Sequence, residues 1–258
     1  MYSEFKGKVV LITGGTSGIG KATSFEFAKH GARVIICGRN KEKGKETLKE
    51  ALEMGLDIEY MCVDVSKPNE VKEMITSIVE KYGTLDIAFN NSGIDGQPTS
   101  VMECSEEEWE SVINVNLNGE FYCMKYETIE MSKKGGGVIV NMLSASAHTC
   151  TPRGVAYVAS KHALVGLTKS SAMACADKNI RINGISPGLI KTPMTIPNPE
   201  DEEEYLKFVN RLTPMGRIGS PKEVAEVVLW LCSSKASFVT GEIIKIDGGL
   251  LAGIITGH

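Results

Sequence analysis

The chain has 258 residues, 28 Lys and Arg against 32 Asp and Glu, a net charge of −4, and is 42% hydrophobic and 6% aromatic. Such a chain can bury a large core in one or two domains. It is too apolar and too evenly charged for a disordered segment, and it has no basic excess for a nucleic-acid backbone. No apolar run approaches the ~20 residues of a membrane helix, and the short run from Val9 to Ile12 ends in a glycine turn rather than a signal-peptide core. A cytoplasmic protein with neither nucleic-acid nor membrane partner is expected. The seven cysteines, at 37, 62, 104, 123, 150, 175 and 232, form no C-x-x-C pair and read as scattered reduced thiols. No metal-ligand spacing is present, so no metal is expected.

In chain order, strand-like and helix-like segments alternate. Lys8–Thr13 is a β-branched run that ends in glycines, and Gly18–His30 reads as a helix closed by Gly31. Arg33–Cys37 is strand-like, and Lys41–Met54 is a charged helix ending at Gly55. Ile58–Val63 is a third strand. Pro68–Tyr82 is a helix with proline in its first turn and Gly83 after its end. Leu85–Phe89 is a fourth strand. Ser105 with Glu108 reads as a capping box that opens a long helix toward Met131. Gly137–Met142 is a fifth strand, Tyr157–Asp177 a helix, Ile180–Ile185 a sixth strand, Pro221–Cys232 a helix and Glu242–Ile246 a last strand. Strands that are apolar throughout and separated by helices imply a parallel sheet covered on both faces. The expected fold is therefore a doubly wound, Rossmann-like, three-layer α/β/α domain over residues 1–258. Residues 187–214, with five prolines and an acidic run at Glu200–Glu204, read as an excursion from that domain, with the acidic run a solvated helix start.

The turn Thr13-Gly14-Gly15-Thr16-Ser17-Gly18-Ile19-Gly20 joins the first strand to the first helix. Glycines there let the backbone turn tightly and approach a ligand. The free N–H groups of the following helix favour a pyrophosphate, so a dinucleotide site is expected. The spacing T-G-x-x-x-G-x-G differs from the general G-x-G-x-x-G fingerprint. The second strand ends in Cys37-Gly38-Arg39-Asn40, with no acid for ribose hydroxyls. Arg39 can fork onto a 2′-phosphate, which favours NADP(H) and leaves NAD(H) open.

Tyr157 and Lys161 lie one helical turn apart on one face, just after Ser144 at the end of the fifth strand. Tyr2 and Lys6 share that spacing but sit in an expected N-terminal tail. A phenol of ordinary pKa ~10 is a poor base at neutral pH, and a nearby ammonium favours its ionised form. Tyr157 would then exchange a proton with an alcohol or ketone oxygen that Ser144 orients.

These residues, taken together, resemble the short-chain dehydrogenase/reductase family, of the compact single-domain type, over essentially the whole chain. The matching pieces are the glycine turn, Asp64-Val65, Asn90-Asn91-Ser92-Gly93, Asn114-Val115-Asn116-Leu117, Ser144, Tyr157-x-x-x-Lys161, Pro187-Gly188 and Asp247-Gly248-Gly249. The resemblance implies an NAD(P)-dependent oxidoreductase that interconverts a secondary alcohol and a ketone. Its catalytic tetrad would be Asn116, Ser144, Tyr157 and Lys161. Tyr157 would be the acid–base. Lys161 would lower its pKa and hold the nicotinamide ribose, and Asn116 would sit in a helix distortion and keep a water linking Lys161 to solvent. Cofactor contacts are implied at Gly14, Thr16, Ser17, Gly18, Ile19 and Gly20; at Arg39, Asp64 and Val65 around the adenine; and at Asn91, Gly93, Tyr157, Lys161, Pro187, Gly188, Ile190 and Thr192 toward the nicotinamide.

Two positions depart from the family pattern. Ser92 stands where alanine is usual, and Ser17 where NADP-preferring members often carry a base. The family also implies a homotetramer, with the helices near 105–131 and 157–177 in one interface and the last strand in another. His148 and Met194 lie near the expected site, and residues 95–99, 145–153 and 194–212 are expected to shape the substrate pocket. Residues 190–214 are expected to form a substrate lid. A dinucleotide-sensing regulator with the same fold and no turnover is one rival reading, and an epimerase or dehydratase of the larger relatives, which run longer and space their glycine turn differently, is another.

Overall fold

A computed structural model describes residues 2–196, 200 and 202–253. Its seven strands are β1 (Val9–Thr13), β2 (Arg33–Gly38), β3 (Ile58–Cys62), β4 (Ile87–Asn90), β5 (Gly137–Met142), β6 (Ile180–Pro187) and β7 (Ile243–Ile246). They form one sheet in the order β3-β2-β1-β4-β5-β6-β7, with every neighbouring pair parallel. The expected doubly wound fold is the one observed.

The helices are α1 (Gly18–Lys29), α2 (Lys41–Glu53), α3 (Pro68–Tyr82), α4 (Glu106–Ile113), α5 (Gly119–Lys133), α6 (Val155–Cys175), α7 (Glu202–Leu212) and α8 (Pro221–Cys232). Side chains alternate across β1, and both faces are buried. Val9 and Leu11 join a core with α3 and α5, whereas Val10 and Ile12 join a second core with Phe27 of α1 and Val228 of α8. That double burial is why these strands read as continuous apolar runs.

Local chemistry sets the helix ends. Pro68 occupies the first turn of α3, and Gly83 ends it in the left-handed region at φ 76°. Ser220 and Glu223 make a complete capping box at the start of α8. The box expected at Ser105 is only half made. The Ser105 hydroxyl accepts from the Glu108 N–H at 3.1 Å, but the Glu108 carboxylate takes the Gln97 N–H and so ties α4 to the loop after β4.

Two expectations are corrected. The N-terminal segment is packed rather than a loose tail: residues Ser3–Phe5 form a helical turn, Phe5 is 1% exposed, and its ring meets Phe27 edge-on at 5.0 Å. The excursion at 187–214 contains the full helix α7, seated by the buried Val209 and tethered by an ion pair between Lys191 and Glu202. Residues 197–199 and 201 of that excursion lie outside the described part of the chain.

The order of the strands positions the site. From β1 the chain winds outward through β2 and β3, then returns to place β4 on the other side of β1. The connections at the carboxyl ends of β1 and β4 therefore leave in opposite directions and open a crevice between them.

Candidate active site

The crevice is a cavity of about 440 Å³, a volume suited to a cofactor-sized ligand. Its floor is the turn after β1. Gly14 has φ +63°, and a Cβ there would lie 2.8 Å from Asn91 Nδ2 and 3.1 Å from Ser92 Cα. Only glycine fits, because the backbone turns left-handed while pressed against the loop after β4. That loop is stapled down by Thr13, whose Oγ1 accepts from the N–H groups of Asn91 and Ser92 at 2.9 Å each. The Asn91 amide returns two bonds, to the carbonyls of Thr13 and Gly14. Ser92 thus fills its place through its backbone, and its hydroxyl costs the turn nothing visible.

Thr16, Ser17, Gly18 and Ile19 also line the cavity, and they lead into the amino end of α1. This cradle fits a pyrophosphate: a turn whose Gly14 leaves no room for a Cβ, opening onto unsatisfied helix N–H groups. Gly20 is set back from the wall. A Cβ there would come within 2.4 Å of the Gly14 carbonyl oxygen, so its glycine serves the packing of α1 on the turn.

Further along the wall stand Arg39, Asp64, Val65, Gly93, Pro187, Gly188, Ile190 and Thr192, the other residues for which the resemblance implies cofactor contacts. Arg39 is exposed and makes no ion pair among the described residues. Beside it is Lys43, which the sequence reading missed. Asn40 caps α2 by accepting from the Lys43 N–H at 3.0 Å, and that first turn carries the second cation to the cavity. The signal was available, since Asn40 followed by a lysine-rich helix places residue 43 in the first turn.

The opposite end of the cavity gathers Ser144, Tyr157 and Lys161. Ser144 leaves β5 with extended backbone and caps a short turn by accepting from the Ser146 N–H at 3.1 Å. Lys161 is 2% exposed; its Nζ donates to the Met142 carbonyl at 2.8 Å and lies 5.6 Å from the centre of the Tyr157 ring. Burial pulls the Lys161 ammonium down from its ordinary pKa, and the carboxylates of Glu120 and Asp95 oppose that.

In the free chain burial dominates the state of the Tyr157 phenol. Burial pushes the phenol up to about 12, against the Ser144 hydroxyl, and the Asp95 carboxylate adds to the rise. The lysine ammonium is engaged by a backbone carbonyl instead. The protonated phenol is thus the resting form at neutral pH.

Asn116 does not reach the cavity wall. It is fully buried in a π-helical stretch, Asn114–Asn118, between α4 and α5, where the helix distortion was expected. Its amide clamps both backbone groups of Ile94, at 2.8 and 2.9 Å, and donates to Ser160 Oγ at 3.3 Å. It therefore fixes the loop after β4 against α6, next to Lys161.

The pocket-shaping expectation is met only in part. Met194 and Thr195 line the cavity, but no residue of 95–99 or 145–153 does. His148 turns away and shares a hydrogen bond with Ser186 Oγ at 2.9 Å. Burial and the nearby Lys245 lower its pKa, which keeps it neutral.

Comparison with known proteins gives this arrangement a lineage. A family model described as enoyl-(acyl carrier protein) reductase matches residues 14–251. A 3-oxoacyl-(acyl-carrier-protein) reductase of Thermotoga maritima is 42% identical over 248 residues, 96% of this chain and 99% of that protein. A cyclohexanol dehydrogenase of Acinetobacter sp. (strain SE19) is also 42% identical, over 96% of each chain. Among solved structures, levodione reductase superposes with a TM-score of 0.92 at 33% identity, over 97% of this chain and 100% of that one. The relatives are named as reductases and dehydrogenases, and nothing among them favours a regulator without turnover. The protein belongs to the short-chain dehydrogenase/reductase family, oxidoreductases that use NAD(H) or NADP(H) to interconvert a secondary alcohol and a ketone.

Proposed function

We propose that Tyr157 is the acid–base of this reaction, that Ser144 orients the substrate oxygen, and that Lys161 and Asn116 support the tyrosine. The observation that carries the reading is the meeting of Ser144, Tyr157 and Lys161 at one end of a cavity whose other end is the glycine cradle. A bound nicotinamide supplies or accepts the hydride. In reduction the phenol gives its proton to the carbonyl oxygen, and in oxidation the phenolate takes the proton of the alcohol. Ser144 Oγ donates to the same oxygen and fixes it. The high resting pKa of Tyr157 suits the donor role and so the reducing direction. Asn116 holds the loop and helix that frame Lys161 and would keep the water that links Lys161 to solvent.

NADP(H) is the preferred cofactor in this reading. Arg39 and Lys43 stand together at the adenosine end, where a 2′-phosphate needs cations, and no acid stands at the end of β2 to take ribose hydroxyls. The substrate is a ring-bearing secondary alcohol or its ketone. Ile94, Leu143, Pro193 and Met194 give the cavity an apolar lining, and relatives named for cyclohexanol and for a 3β-hydroxysteroid support such rings, beside a relative named for a 3-oxoacyl chain.

The excursion at 190–214 is the substrate lid, with Met194, Phe208 and Leu212 exposed on it in the free chain. The assembly is a tetramer paired through α5 and α6, where Phe121, Ile129 and Met173 are exposed. Its setting is the cytoplasm.

Purified protein assayed with NADPH and NADH against cyclohexanone and a linear 3-oxoacyl thioester tests these points together. Faster turnover of the ring ketone with NADPH is expected. Preference for the thioester would overturn the substrate class, and activity retained in Tyr157→Phe would overturn the mechanism.

A further inference from the structure

The cations at the adenosine end depend on a short connection. Strand β2 ends at Gly38, α2 begins at Lys41, and only Arg39 and Asn40 lie between them. An exposed arginine on such a link has many directions in which to leave, and that freedom is lost when a phosphate is gripped. The neighbouring edge strand β3 restricts it beforehand, through side chains that lie under the connection.

The first hold is on the backbone of Arg39. The Tyr60 hydroxyl donates to the Gly38 carbonyl at 2.8 Å. That carbonyl already accepts the Val63 N–H at 3.3 Å, so the phenol adds a bond that strand pairing does not require. The Cys62 thiol donates to the Arg39 carbonyl at 3.7 Å. One of these carbonyls belongs to the peptide before Arg39 and the other to the peptide after it. Peptide units are planar, so holding both constrains φ and ψ at Arg39 and the direction in which its side chain departs.

The second hold is on α2. Gly44 is buried, and a Cβ there would lie 2.6 Å from the Tyr60 ring. Glycine weakens a helix interior relative to alanine, so its presence answers to the ring beneath it. The ring therefore sets how closely α2 sits on the sheet, one residue past Lys43. Asn40 and Thr47 complete that turn: the Asn40 side chain accepts from the Lys43 N–H at 3.0 Å, and the Thr47 hydroxyl donates to the Lys43 carbonyl at 2.9 Å. Arg39 and Lys43 line the cavity, whereas Tyr60 does not.

We propose that Tyr60 is a positioning residue for cofactor choice, a strut that aims Arg39 and Lys43 at one phosphomonoester, the 2′-phosphate of the adenosine ribose. The inference rests on the reading of those two cations as 2′-phosphate partners. The phenol suits a fixed strut. Burial and the neighbouring Cys62 sulfur push it up to about 12, so it keeps its proton and its bond to Gly38 at neutral pH. Phenylalanine in its place would still fill the space under Gly44 but would release the Gly38 carbonyl. Cations already in place give up little freedom on binding, so the strut's contribution is felt only by a ligand that carries the phosphate.

Calorimetric titration with adenosine 2′,5′-bisphosphate and with adenosine 5′-phosphate, which differ only in the 2′-phosphate, tests this without turnover. Tyr60→Phe should weaken the bisphosphate Kd by about threefold to tenfold, the range of one hydrogen bond, and leave the monophosphate unchanged. In steady state, kcat/KM with NADPH should fall by the same factor through KM, with kcat and the NADH constants unmoved. In an Arg39→Ala background Tyr60→Phe should have no further effect, because it keeps the ring under Gly44 and acts through Arg39 alone. Gly44→Ala, which drives a methyl into the ring, should also weaken the bisphosphate selectively.

Equal losses with both nucleotides, or a loss that adds fully to that of Arg39→Ala, would make Tyr60 a packing residue and overturn the inference. Should Tyr60→Phe fail to fold, Gly44→Ala decides by itself. Arg39→Ala separates the two proposals. If it loses the bisphosphate selectively while Tyr60→Phe binds as wild type, only the strut falls; if the wild type binds the two nucleotides equally, the phosphate reading falls and the strut with it.

Discussion

The two halves of the crevice are made of different materials. On the β1–β3 side the wall is mostly backbone: a left-handed glycine, helix N–H groups and a loop stapled by Thr13, with Arg39 and Lys43 as its cations. On the β4–β6 side the wall is side-chain chemistry, a phenol, an ammonium and a hydroxyl, with two buried carboxyls behind them. The first half recognises by shape, so a change there should alter binding. In the proposed reading the second half moves protons, so a change there should alter turnover and pH dependence while the cofactor still binds.

The sharpest break of that contrast is Tyr157→Phe. Removing the one proton that the reaction transfers should lower kcat by about 10³-fold, within the usual range for a positioned acid–base. Fluorescence titration should find the NADPH Kd within about twofold of wild type. A large loss of cofactor binding would mean that the tyrosine is part of the cradle.

On the other side, Gly14→Ala forces a Cβ to 2.8 Å from the Asn91 amide at a left-handed φ. Strain of about 1–3 kcal/mol is expected, and it should appear as a weaker cofactor Kd and a lower Tm. The kcat at saturating cofactor should stay near that of wild type.

Arg39→Ala should be of similar size but selective. Losing a charge-assisted bond to a 2′-phosphate costs about 1.5–3 kcal/mol, or roughly 10–150-fold in kcat/KM with NADPH, and leaves NADH nearly unchanged. Equal effects on both cofactors would assign Arg39 to the surface.

The last effect concerns stability rather than activity. Glu127 has a folded pKa of about 8 against an ordinary 4.5, so between those values the folded state binds more protons than the unfolded one. Stability from this group is therefore present at low pH and lost as pH rises through that window, by at most about 1.4 kcal/mol per pH unit. Denaturant unfolding at several pH values should show this decline in wild type and a flatter profile in Glu127→Gln.

Much of the first half was legible because its features are local. Glycines at 14 and 18, a β-branched strand before them and a helix after them fix a turn with no help from elsewhere in the chain. Arg39 could be placed for the same reason, as could the helix Pro68–Tyr82, whose proline and glycine mark both ends. Tyr157 and Lys161 were legible through helix periodicity. Their partners were harder: the Ser144 pairing came from its place after a strand, and the position of Asn116 came from resemblance alone.

The failures have physical causes as well. The Ser105 box looked reciprocal because spacing along one helix says nothing of competition, and Gln97 offered Glu108 a better-placed N–H. The Tyr2 segment looked loose because a packed tail depends on what lies beneath it, here Phe27 and His30. Helix α7 was hidden among prolines, although its acidic start was visible.

The sequence by itself determined the alternation of strands and helices, the cradle after β1, and the facing of Tyr157 and Lys161, since each depends on neighbours a few residues away. Only the tertiary structure decided the state of those groups. A phenol that rests protonated, a lysine held by the Met142 carbonyl, and a helix stripe that turns Glu120 and Glu127 inward all depend on which strand a helix packs against. Burial in a low-dielectric interior, not residue type, sets the charge of each.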